Sequence, residues 1–204
     1  MSELSLGAEE ADPDPLEQFH RWLEAARAAT GVRDDTMVLA TATPDGRPSA
    51  RAVLMRGLDE QGLVFYTDTR SRKGEELAAN PRAAVVFLWP ALERQVRVEG
   101  AVAPVAGTEA DVYFAARPRG HRLAAWASAQ SRPLADRAEI EQRMLSLEEQ
   151  YEGVPVPRPP YWGGYRLTPT EWEFWQGREN RVHDRVVYRR RPSAAGWERL
   201  RLSP

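Results

Sequence analysis

The spacing of apolar positions separates one amphipathic helix near the start of the chain from a long series of short strands. Asp14 and Pro15 provide a helix cap and a first-turn proline. Apolar residues then recur at helical spacing until Gly31, where the pattern stops. Segment 1–13, ahead of the helix, is acidic and is predicted to be a mobile tail. We therefore expect a single domain over residues 14–204.

From Met37 onward the pattern changes to that of strands, with a hairpin predicted around 44–46. Strands are predicted at 37–43, 47–56, 63–67, 83–89, 93–105, 161–169, 170–177, 184–190 and 196–202. Helices are predicted at 71–80, 108–116 and 136–151. The sequence contains no βαβ alternation and no GxGxxG or Walker loop. These features favour a mainly β chain of the α+β class, in which an antiparallel sheet curls into a barrel with peripheral helices.

Composition narrows the possible function classes. The 204 residues are 42% apolar and include seven Trp, which is enough for a buried core. The net charge of −2 argues against a dedicated nucleic-acid-binding protein. The absence of cysteine excludes disulfides, zinc–thiolate sites and a cysteine nucleophile. Neither a signal-peptide pattern nor an apolar run near the roughly 20 residues of a membrane span occurs, so we expect a cytoplasmic protein.

The first candidate site combines the cations and hydroxyls that a phosphate monoester needs. Arg51 lies in one predicted strand, Tyr66 and Thr67 end another, and 70–73 opens a helix with Arg-Ser-Arg-Lys. A capped helix start with free N–H groups and nearby cations suits a phosphate. Of the 28 basic residues only Lys73 is a lysine, which suggests that this position needs a compact ammonium group. The alternative is a solvated basic turn.

A second group of cations lies along and just beyond the helix predicted at 108–116. Tyr113 and Arg117 share one helix face. Arg119 and His121 follow them, and Arg56 is a candidate partner from the sheet. This group also suits an anion. The alternative is a helix end whose arginines lie near the last carbonyl groups, with His121 on the surface.

Two further groups could contact a flat ring. The first consists of amide, hydroxyl and indole side chains that could bind or pack on such a ring: Gln95, Gln130, Ser131, Trp172, Trp175 and Gln176. Aromatic residues of barrel strands are usually core residues, which is the alternative for this group. Loop 178–185 either faces a ligand or forms a solvent-exposed ion-pair turn. No nucleophile accompanies its histidine, and no ligand spacing indicates a metal, so we expect neither a hydrolytic triad nor a metal site.

Taken together, these segments resemble the pyridoxamine 5′-phosphate oxidase family. The match runs in order from about Asp14 to Pro204 and rests on RAVLMRGLDEQGLVFYTDTRSRKGEEL, NPRAAVVFLWPALERQVRVEG, YFAARPRGHRLAAWASAQS, YWGGYRL and EFWQGRENRVHDR. The resemblance implies an FMN-binding split barrel and a homodimer with two FMN molecules at the subunit interface. It also implies oxidation of pyridoxine or pyridoxamine 5′-phosphate to pyridoxal 5′-phosphate, as in vitamin B6 metabolism, with O2 as acceptor and hydrogen peroxide as product.

The resemblance also assigns the candidate residues, position by position. Those assigned to FMN are Arg51, Ala52, Val53, Leu54, Met55, Arg56, Tyr66, Thr67, Arg72, Lys73, Gln95, Gln130, Ser131, Trp175 and Arg185. Those assigned to the substrate phosphate are Arg56, Tyr113, Arg117 and His121. Those assigned to the pyridine ring are Arg181, Val182 and His183. Arg181 and His183 are the expected catalytic residues, which orient the substrate and stabilise charge at its ring oxygen.

The chain departs from the family pattern in three places. Arg56 stands where the family usually has Lys, His121 stands where it often has Ser, and the acidic tail lacks the basic, tyrosine-containing segment of many members. Two alternatives stay open, a flavin oxidase of secondary metabolism with a phenazine-type substrate and a non-catalytic protein that binds flavin or pyridoxal phosphate. Retention of Tyr113, Arg117 and Arg181 with Arg56 favours a phosphorylated ligand. Nucleic-acid binding ranks last because of the net charge.

Overall fold

The computed structural model describes residues 6, 11–30, 35–191 and 196–204, and within them one antiparallel sheet of nine strands forms the body of the protein. The strands are β1 (Thr36–Ala42), β2 (Pro48–Leu54), β3 (Gly57–Asp59), β4 (Gly62–Asp68), β5 (Arg82–Trp89), β6 (Arg94–Pro104), β7 (Trp162–Gln176), β8 (Asp184–Arg190) and β9 (Trp197–Arg201). The helices are α1 (Pro15–Thr30), α2 (Arg72–Ala79), α3 (Gly107–Ala115), α4 (Arg119–Ala127) and α5 (Arg137–Gln150). The order in the sheet is β2-β1-β5-β6-β7-β4-β3, and β8 and β9 extend from β7.

Strand β7 allows the sheet to curl. Its first half pairs with β4 and its second half with β8, while β6 runs along both halves. The β6–β7 pairing has a bulge between Glu99 and Gly100. A Cβ on Gly100 would lie 2.0 Å from the carbonyl oxygen of Thr168, so this close approach requires glycine. Because bulges bend a strand and increase its twist, the two halves of the sheet can face different ways. The predicted curled antiparallel sheet with peripheral helices is confirmed.

Helix α1 fills the inside of the curl with aromatic side chains. Phe19 and Trp22 are buried. The ring of Phe19 lies 4.8 Å from that of Phe87 and 5.5 Å from that of Trp172, and Trp22 lies 5.3 Å from Phe174. Burying each such side chain contributes about 1.5–3 kcal/mol, so this cluster anchors the helix to the sheet.

Most predicted elements are present, with shifted boundaries. The β1–β2 hairpin has the predicted antiparallel register, and Asp14 caps α1 by accepting a hydrogen bond from the backbone N–H of Leu16 at 2.9 Å. The predicted strands 161–169 and 170–177 are one strand, β7, because Pro169 lies at the bulge rather than in a turn. A proline is tolerated there because a bulge interrupts the ladder of hydrogen bonds.

The sequence pattern does not predict helix α4. Its N-cap is Pro118, which offers no capping side chain, and Gly120 lies in its first turn. Both features are typical of a loop. The helix is held by its packing on α5, which no local pattern reports. Helix α4 matters for function because it carries His121 toward the site described below.

The described end of the predicted mobile tail is packed against the sheet. The hydroxyl of Tyr188 donates to the carbonyl oxygen of Asp12 at 2.6 Å, and Arg199 donates to that of Ala11 at 2.6 Å. Ala11 and Asp12 therefore belong to the folded body, which the sequence analysis begins at Asp14. Residues 1–5 and 7–10 of the predicted tail lie outside the described residues, as does Gly31, whereas Leu6 is buried and Pro13 is exposed. None of the helices in the described ranges is both long and apolar enough to cross a membrane.

Candidate functional site

A cavity of about 720 Å³ lies against strands β2 and β4 and helices α2, α3 and α4. Its volume is in the range of small-molecule sites. The predicted site residues that line it are Arg51, Ala52, Val53, Leu54, Arg56, Tyr66, Thr67, Lys73, Tyr113, Arg117, His121 and Gln130. The structure thus brings Arg51 and Lys73 of the first predicted group into one cavity with Arg56 and Arg117 of the second. Arg119 lies outside it and donates to the backbone carbonyls of Tyr151 and Val154. The carboxylate of Asp68, which also lines it, is already bound by Arg70 at 2.9 Å.

Lys73 lies at one end of the cavity, in the first turn of α2, and is buried. Its Nζ donates to Gln130 Oε1 at 2.7 Å, to Thr67 Oγ1 at 3.1 Å and to Ser71 Oγ at 3.3 Å. All three partners are neutral. Burial lowers the pKa of Lys73, and the positive charge of Arg51 lowers it further. This end of the cavity therefore carries a buried positive charge that an anionic ligand would stabilise.

Arg51 is held beside Lys73 by a buried carboxylate behind the cavity wall. Its guanidinium donates to Thr41 Oγ1 at 2.6 Å and to Ser49 Oγ at 2.5 Å, and it pairs with Glu76 at 3.3 Å. Burial alone would raise the pKa of Glu76. Hydrogen bonds from Ser49, Thr41 and Arg72 outweigh burial and lower that pKa to about 2. Glu76 is thus ionised at neutral pH and fixes the direction of the Arg51 side chain.

Three mutually parallel aromatic rings, called the stack below, also line the cavity. The ring of Tyr66 lies 4.0 Å from that of Tyr113 and 5.3 Å from that of Trp162, each with an interplanar angle of 6°. Burial and the charge of Glu109 raise the pKa of Tyr66 to about 12, so its hydroxyl stays protonated at neutral pH. The stack gives the cavity a flat apolar wall whose polar edges are hydroxyl groups.

Arg117 lies next to this stack and lacks an anionic partner among the described residues. The carbon of its guanidinium lies over the ring of Trp162, 4.6 Å from the ring centroid. Its Nη1 is buried and has no hydrogen-bond partner in the described part of the chain. Burial lowers the pKa of Arg117, and the nearby Arg56 lowers it as well. Arg117 is half-buried, and a buried donor such as its Nη1 is costly to leave without a partner unless an anion binds it.

The remaining predicted contacts of the flavin ring form a separate row on the sheet. Gln95 of β6 pairs with Trp175 of β7, and Trp175 pairs with Arg185 of β8. Residues paired across antiparallel strands point to the same face. The ring of His183 lies 4.5 Å from that of Trp175, and Arg185 donates to Glu173 at 2.8 Å. We call these four residues, Gln95, Trp175, His183 and Arg185, the sheet-face row. They do not line the cavity of their own chain.

The loop before β8 has two exposed residues with left-handed backbone and an ion pair at its ends. Asn180 and Arg181 have φ values of 57° and 62°, which is rare for non-glycine residues. Val182 is 66% exposed. In contrast, Arg178 and Asp184 form an ion pair at 2.7 Å, as the ion-pair alternative predicts. Arg181 and Val182, like the sheet-face row, do not line the cavity.

Three other predicted residues also lie outside the cavity lining. Met55 is buried in the core, Arg72 is exposed and pairs with Glu76 at 2.8 Å, and Ser131 is exposed with a φ of 69°. Trp172, from the group of possible ring contacts, is a core residue, as the alternative for that group predicts. None of the described residues forms a cluster of side chains suited to a metal ion.

The sequence pattern gives Trp162 no predicted role, although YWGGYRL is among the segments of the resemblance. The signal was the glycine pair that follows it. A Cβ on Gly164 would lie 2.6 Å from the ring of Tyr66, so glycine is needed for Tyr66 to reach the stack. Two glycines in the interior of a strand indicate close packing of this kind, but not which side chain fills the space.

Comparison with protein-family models gives two consecutive matches. The model described as pyridoxamine 5′-phosphate oxidase matches residues 23–151, and the model of the pyridoxine 5′-phosphate oxidase C-terminal dimerisation region matches residues 162–204. Among curated proteins, the chain is 57% identical to the pyridoxine/pyridoxamine 5′-phosphate oxidase of Rubrobacter xylanophilus over 199 residues, covering 98% of this chain and 91% of the relative. It is 53% identical to that of Cupriavidus taiwanensis, covering 98% and 93%.

Two solved structures share the fold. PhzG from Burkholderia lata, solved with tetrahydrophenazine-1-carboxylic acid, aligns with a TM-score of 0.91 at 32% identity and covers 100% of this chain and 99% of its own. A pyridoxamine 5′-phosphate oxidase-related, FMN-binding protein from Nostoc punctiforme aligns with a TM-score of 0.73 at 20% identity, covering 94% and 98%. The second likeness concerns the fold alone.

Proposed function

The chain belongs to the pyridoxamine 5′-phosphate oxidase family, and on that premise we propose that it oxidises pyridoxine or pyridoxamine 5′-phosphate at the 4′ carbon to pyridoxal 5′-phosphate. Dioxygen is the proposed electron acceptor and hydrogen peroxide the second product. The protein is an FMN-dependent oxidoreductase and a homodimer.

The observation that carries the proposal is a pair of cations in one cavity, neither of which is bound directly by a carboxylate of the described residues. Lys73 is bound only to neutral groups, and Arg117 has a free buried donor among the described residues. Phosphate groups bind where charge and hydrogen-bond donors converge. Two such places, separated by an aromatic stack, fit two phosphorylated aromatic molecules, which are the cofactor and the substrate.

The residues around Lys73 fit the phosphate of FMN. Lys73 and Arg51 would supply positive charge, and the hydroxyl of Thr67 and the amide of Gln130 lie within hydrogen-bond distance of the Lys73 ammonium. The first turn of α2, with Ser71 as its cap, places the positive end of the helix dipole at the same point. When bound, FMN supplies the two-electron acceptor for the substrate.

The residues around Arg117 are proposed to hold the substrate phosphate. Arg56, Tyr113 and His121 line the cavity with Arg117 and can all donate hydrogen bonds, His121 also when it is neutral. A phosphate fixed at this point restricts the pyridine ring to one orientation. Fixing the reacting carbon relative to its acceptor supplies much of the rate enhancement that such a site can give.

The sheet-face row and the loop residues Arg181 and Val182 are proposed to serve the site of the other subunit. The row lies in register with Leu88, which pairs with Gln95 and is 58% exposed. Val38 is also exposed, at 43%. Exposed apolar side chains on a sheet face indicate a protein interface. In the dimer, the row of one subunit would lie against the cavity of its partner. Arg181 and His183 would then orient the substrate.

The proposal is tested on the purified protein. We expect a yellow protein with a flavin absorption spectrum that consumes oxygen and forms pyridoxal 5′-phosphate when pyridoxine 5′-phosphate is added. The matched control is pyridoxine without phosphate, for which activity should fall by orders of magnitude. A preparation that neither retains nor takes up FMN would contradict the proposal, as would equal activity with both compounds.

The similarity to PhzG supports a second candidate, a flavin oxidase acting on a phenazine precursor. The 52–57% identity to proteins named pyridoxine/pyridoxamine 5′-phosphate oxidase, against 32% to PhzG, favours the first candidate. The cations of the cavity also favour a phosphorylated ligand. Turnover of a dihydrophenazine carboxylic acid in place of pyridoxine 5′-phosphate would reverse this choice.

A further inference from the structure

Arg117 depends on its surroundings for a fixed position, because the described residues give its side chain no ion pair. A flexible arginine side chain in solution samples many rotamers, and ordering it costs entropy. In most of the arginines of this protein a carboxylate fixes the guanidinium, as Glu76 does for Arg51. Arg117 instead has aromatic neighbours. Its guanidinium lies 4.6 Å from the ring of Trp162 and 5.6 Å from that of Phe114.

Trp162 is built into the wall in a way that fixes its ring plane. It is buried at the start of β7, and its ring stacks on that of Tyr66. The edge of its ring meets Phe114 with centroids 5.0 Å apart and an interplanar angle of 68°. A ring held on one face and one edge cannot rotate. The Arg117 guanidinium lies over this ring, with its carbon 4.6 Å from the ring centroid.

An aromatic face suits Arg117 better than a carboxylate would. An acid beside the guanidinium would neutralise it and compete with an incoming anion. The face of an indole attracts a cation but leaves its N–H donors available in the plane of the guanidinium. The buried, unpartnered Nη1 of Arg117 is such a donor.

We propose that Trp162 is the positioning residue that holds Arg117 ready to bind the phosphate of the substrate. This inference rests on the proposed function, and it adds a residue that acts through Arg117 rather than on the substrate. The inference predicts that loss of Trp162 affects only one part of substrate recognition. Loss of the indole should weaken recognition of the phosphate and leave recognition of the pyridine ring and of FMN unchanged.

The test is a double-mutant cycle on the FMN-loaded protein, measured by calorimetry. The ligands are 4-deoxypyridoxine 5′-phosphate, which has no oxidisable group at its 4′ carbon, and 4-deoxypyridoxine without phosphate. We expect W162L to raise the Kd of the phosphorylated ligand about tenfold, the size of a desolvated cation–π contact, and W162F to raise it about threefold. The Kd of the unphosphorylated ligand should change less than twofold. In the R117A background, either substitution at Trp162 should change the Kd of the phosphorylated ligand less than twofold.

The matched control is W126F, since Trp126 lies on α4 with its ring packed on Tyr151 and Tyr161 rather than in the cavity. It should leave both ligands unaffected. If W162L does not fold, W162F carries the same cycle. Equal weakening of both ligands, or a Trp162 effect that persists undiminished in R117A, would mean a purely structural role and overturn the inference. If the wild type itself shows no preference for the phosphorylated ligand, the proposed function fails first.

Discussion

The groups that accept hydrogen bonds from Lys73 are neutral, and burial and the charge of Arg51 outweigh the charges of Asp68 and Glu76, so its ammonium destabilises the fold unless an anion is bound beside it. The ordinary pKa of lysine is 10.5, and burial lowers that of Lys73. The folded state therefore holds this proton less tightly than the unfolded chain does, which costs free energy at neutral pH. The cost is removed as the pH rises through the lowered pKa toward the ordinary value.

Replacing Lys73 with Met should separate stability from binding. We expect K73M to raise the free energy of unfolding of the FMN-free protein by about 1 kcal/mol, because an uncompensated buried charge is removed. The same change should weaken FMN binding at least about tenfold, because a charged hydrogen bond to phosphate is lost. Urea denaturation and quenching of flavin fluorescence measure the two effects. R82M, at an exposed position of β5, is the control. A K73M protein that is less stable without FMN would refute the argument.

Glu76 should make stability depend on acid. Its pKa is lowered to about 2 in the folded state, against 4.5 ordinarily, so its stabilising contribution is complete above pH 4.5 and is lost as the pH falls toward 2. We expect E76Q to be less stable than the wild type by about 2 kcal/mol at pH 7 and by clearly less at pH 3. Urea denaturation at both values tests this. A difference that does not depend on pH would rule out the carboxylate charge as its source.

At the residue scale, the sequence predicts the members of the cavity better than their supports. The sequence pattern indicates Arg51, Lys73 and Arg117 as cations that could bind an anion. Glu76 and Trp162, which hold two of them, do not stand out. Supporting residues are identified by contacts across the fold, and Glu76 is 25 residues from Arg51 in the chain. A single sequence carries no record of such contacts.

At the scale of elements, the two glycines near the start of β7 offer a matched comparison. A Cβ on Gly164 would lie 2.6 Å from the Tyr66 ring, whereas one on Gly163 would lie 3.6 Å from Thr69, an ordinary contact. We expect G164A to lose about 1–3 kcal/mol of stability and to bind FMN and substrate more weakly, since Tyr66 must leave the stack. G163A should stay within about 0.5 kcal/mol of the wild type. Thermal unfolding and binding measurements on both variants check this. Equal behaviour of the two variants would contradict the packing argument.

The elements themselves were predictable where the local pattern was strong. The amphipathic spacing of α1 and the turn at 44–46 suffice for the first helix and hairpin. Helix α4 has no local signature, because Pro118 and Gly120 at its start favour a loop. Contacts across the fold, with α5 and with the segment that follows it, hold the helix. The sequence also does not predict that β7 is one long strand, since a proline in the middle of a strand pattern ordinarily indicates that the strand ends there.

At the scale of the whole molecule, the proposed sites each combine two subunits. A mixture of R117A and H183A chains tests this, because one site of a mixed dimer would then carry both changes and the other neither. Each variant alone should be nearly inactive. Random co-assembly makes half of the dimers mixed, so about a quarter of the wild-type activity should return. If Arg117 and His183 of one chain served the same site, mixing would restore nothing. Gel filtration before the assay confirms that all samples are dimers.

Strand β7 extends from Trp162 in the cavity wall to Trp175 in the sheet-face row. At roughly 3.3 Å per residue, these two side chains are about 40 Å apart along one continuous strand. In the proposed dimer, the same strand shapes its own reaction centre at one end and its neighbour's at the other. A change of register or a bend in the middle of this strand would then alter both centres at once. The bulge at Gly100 lies between the two centres, so a change in its geometry would move both.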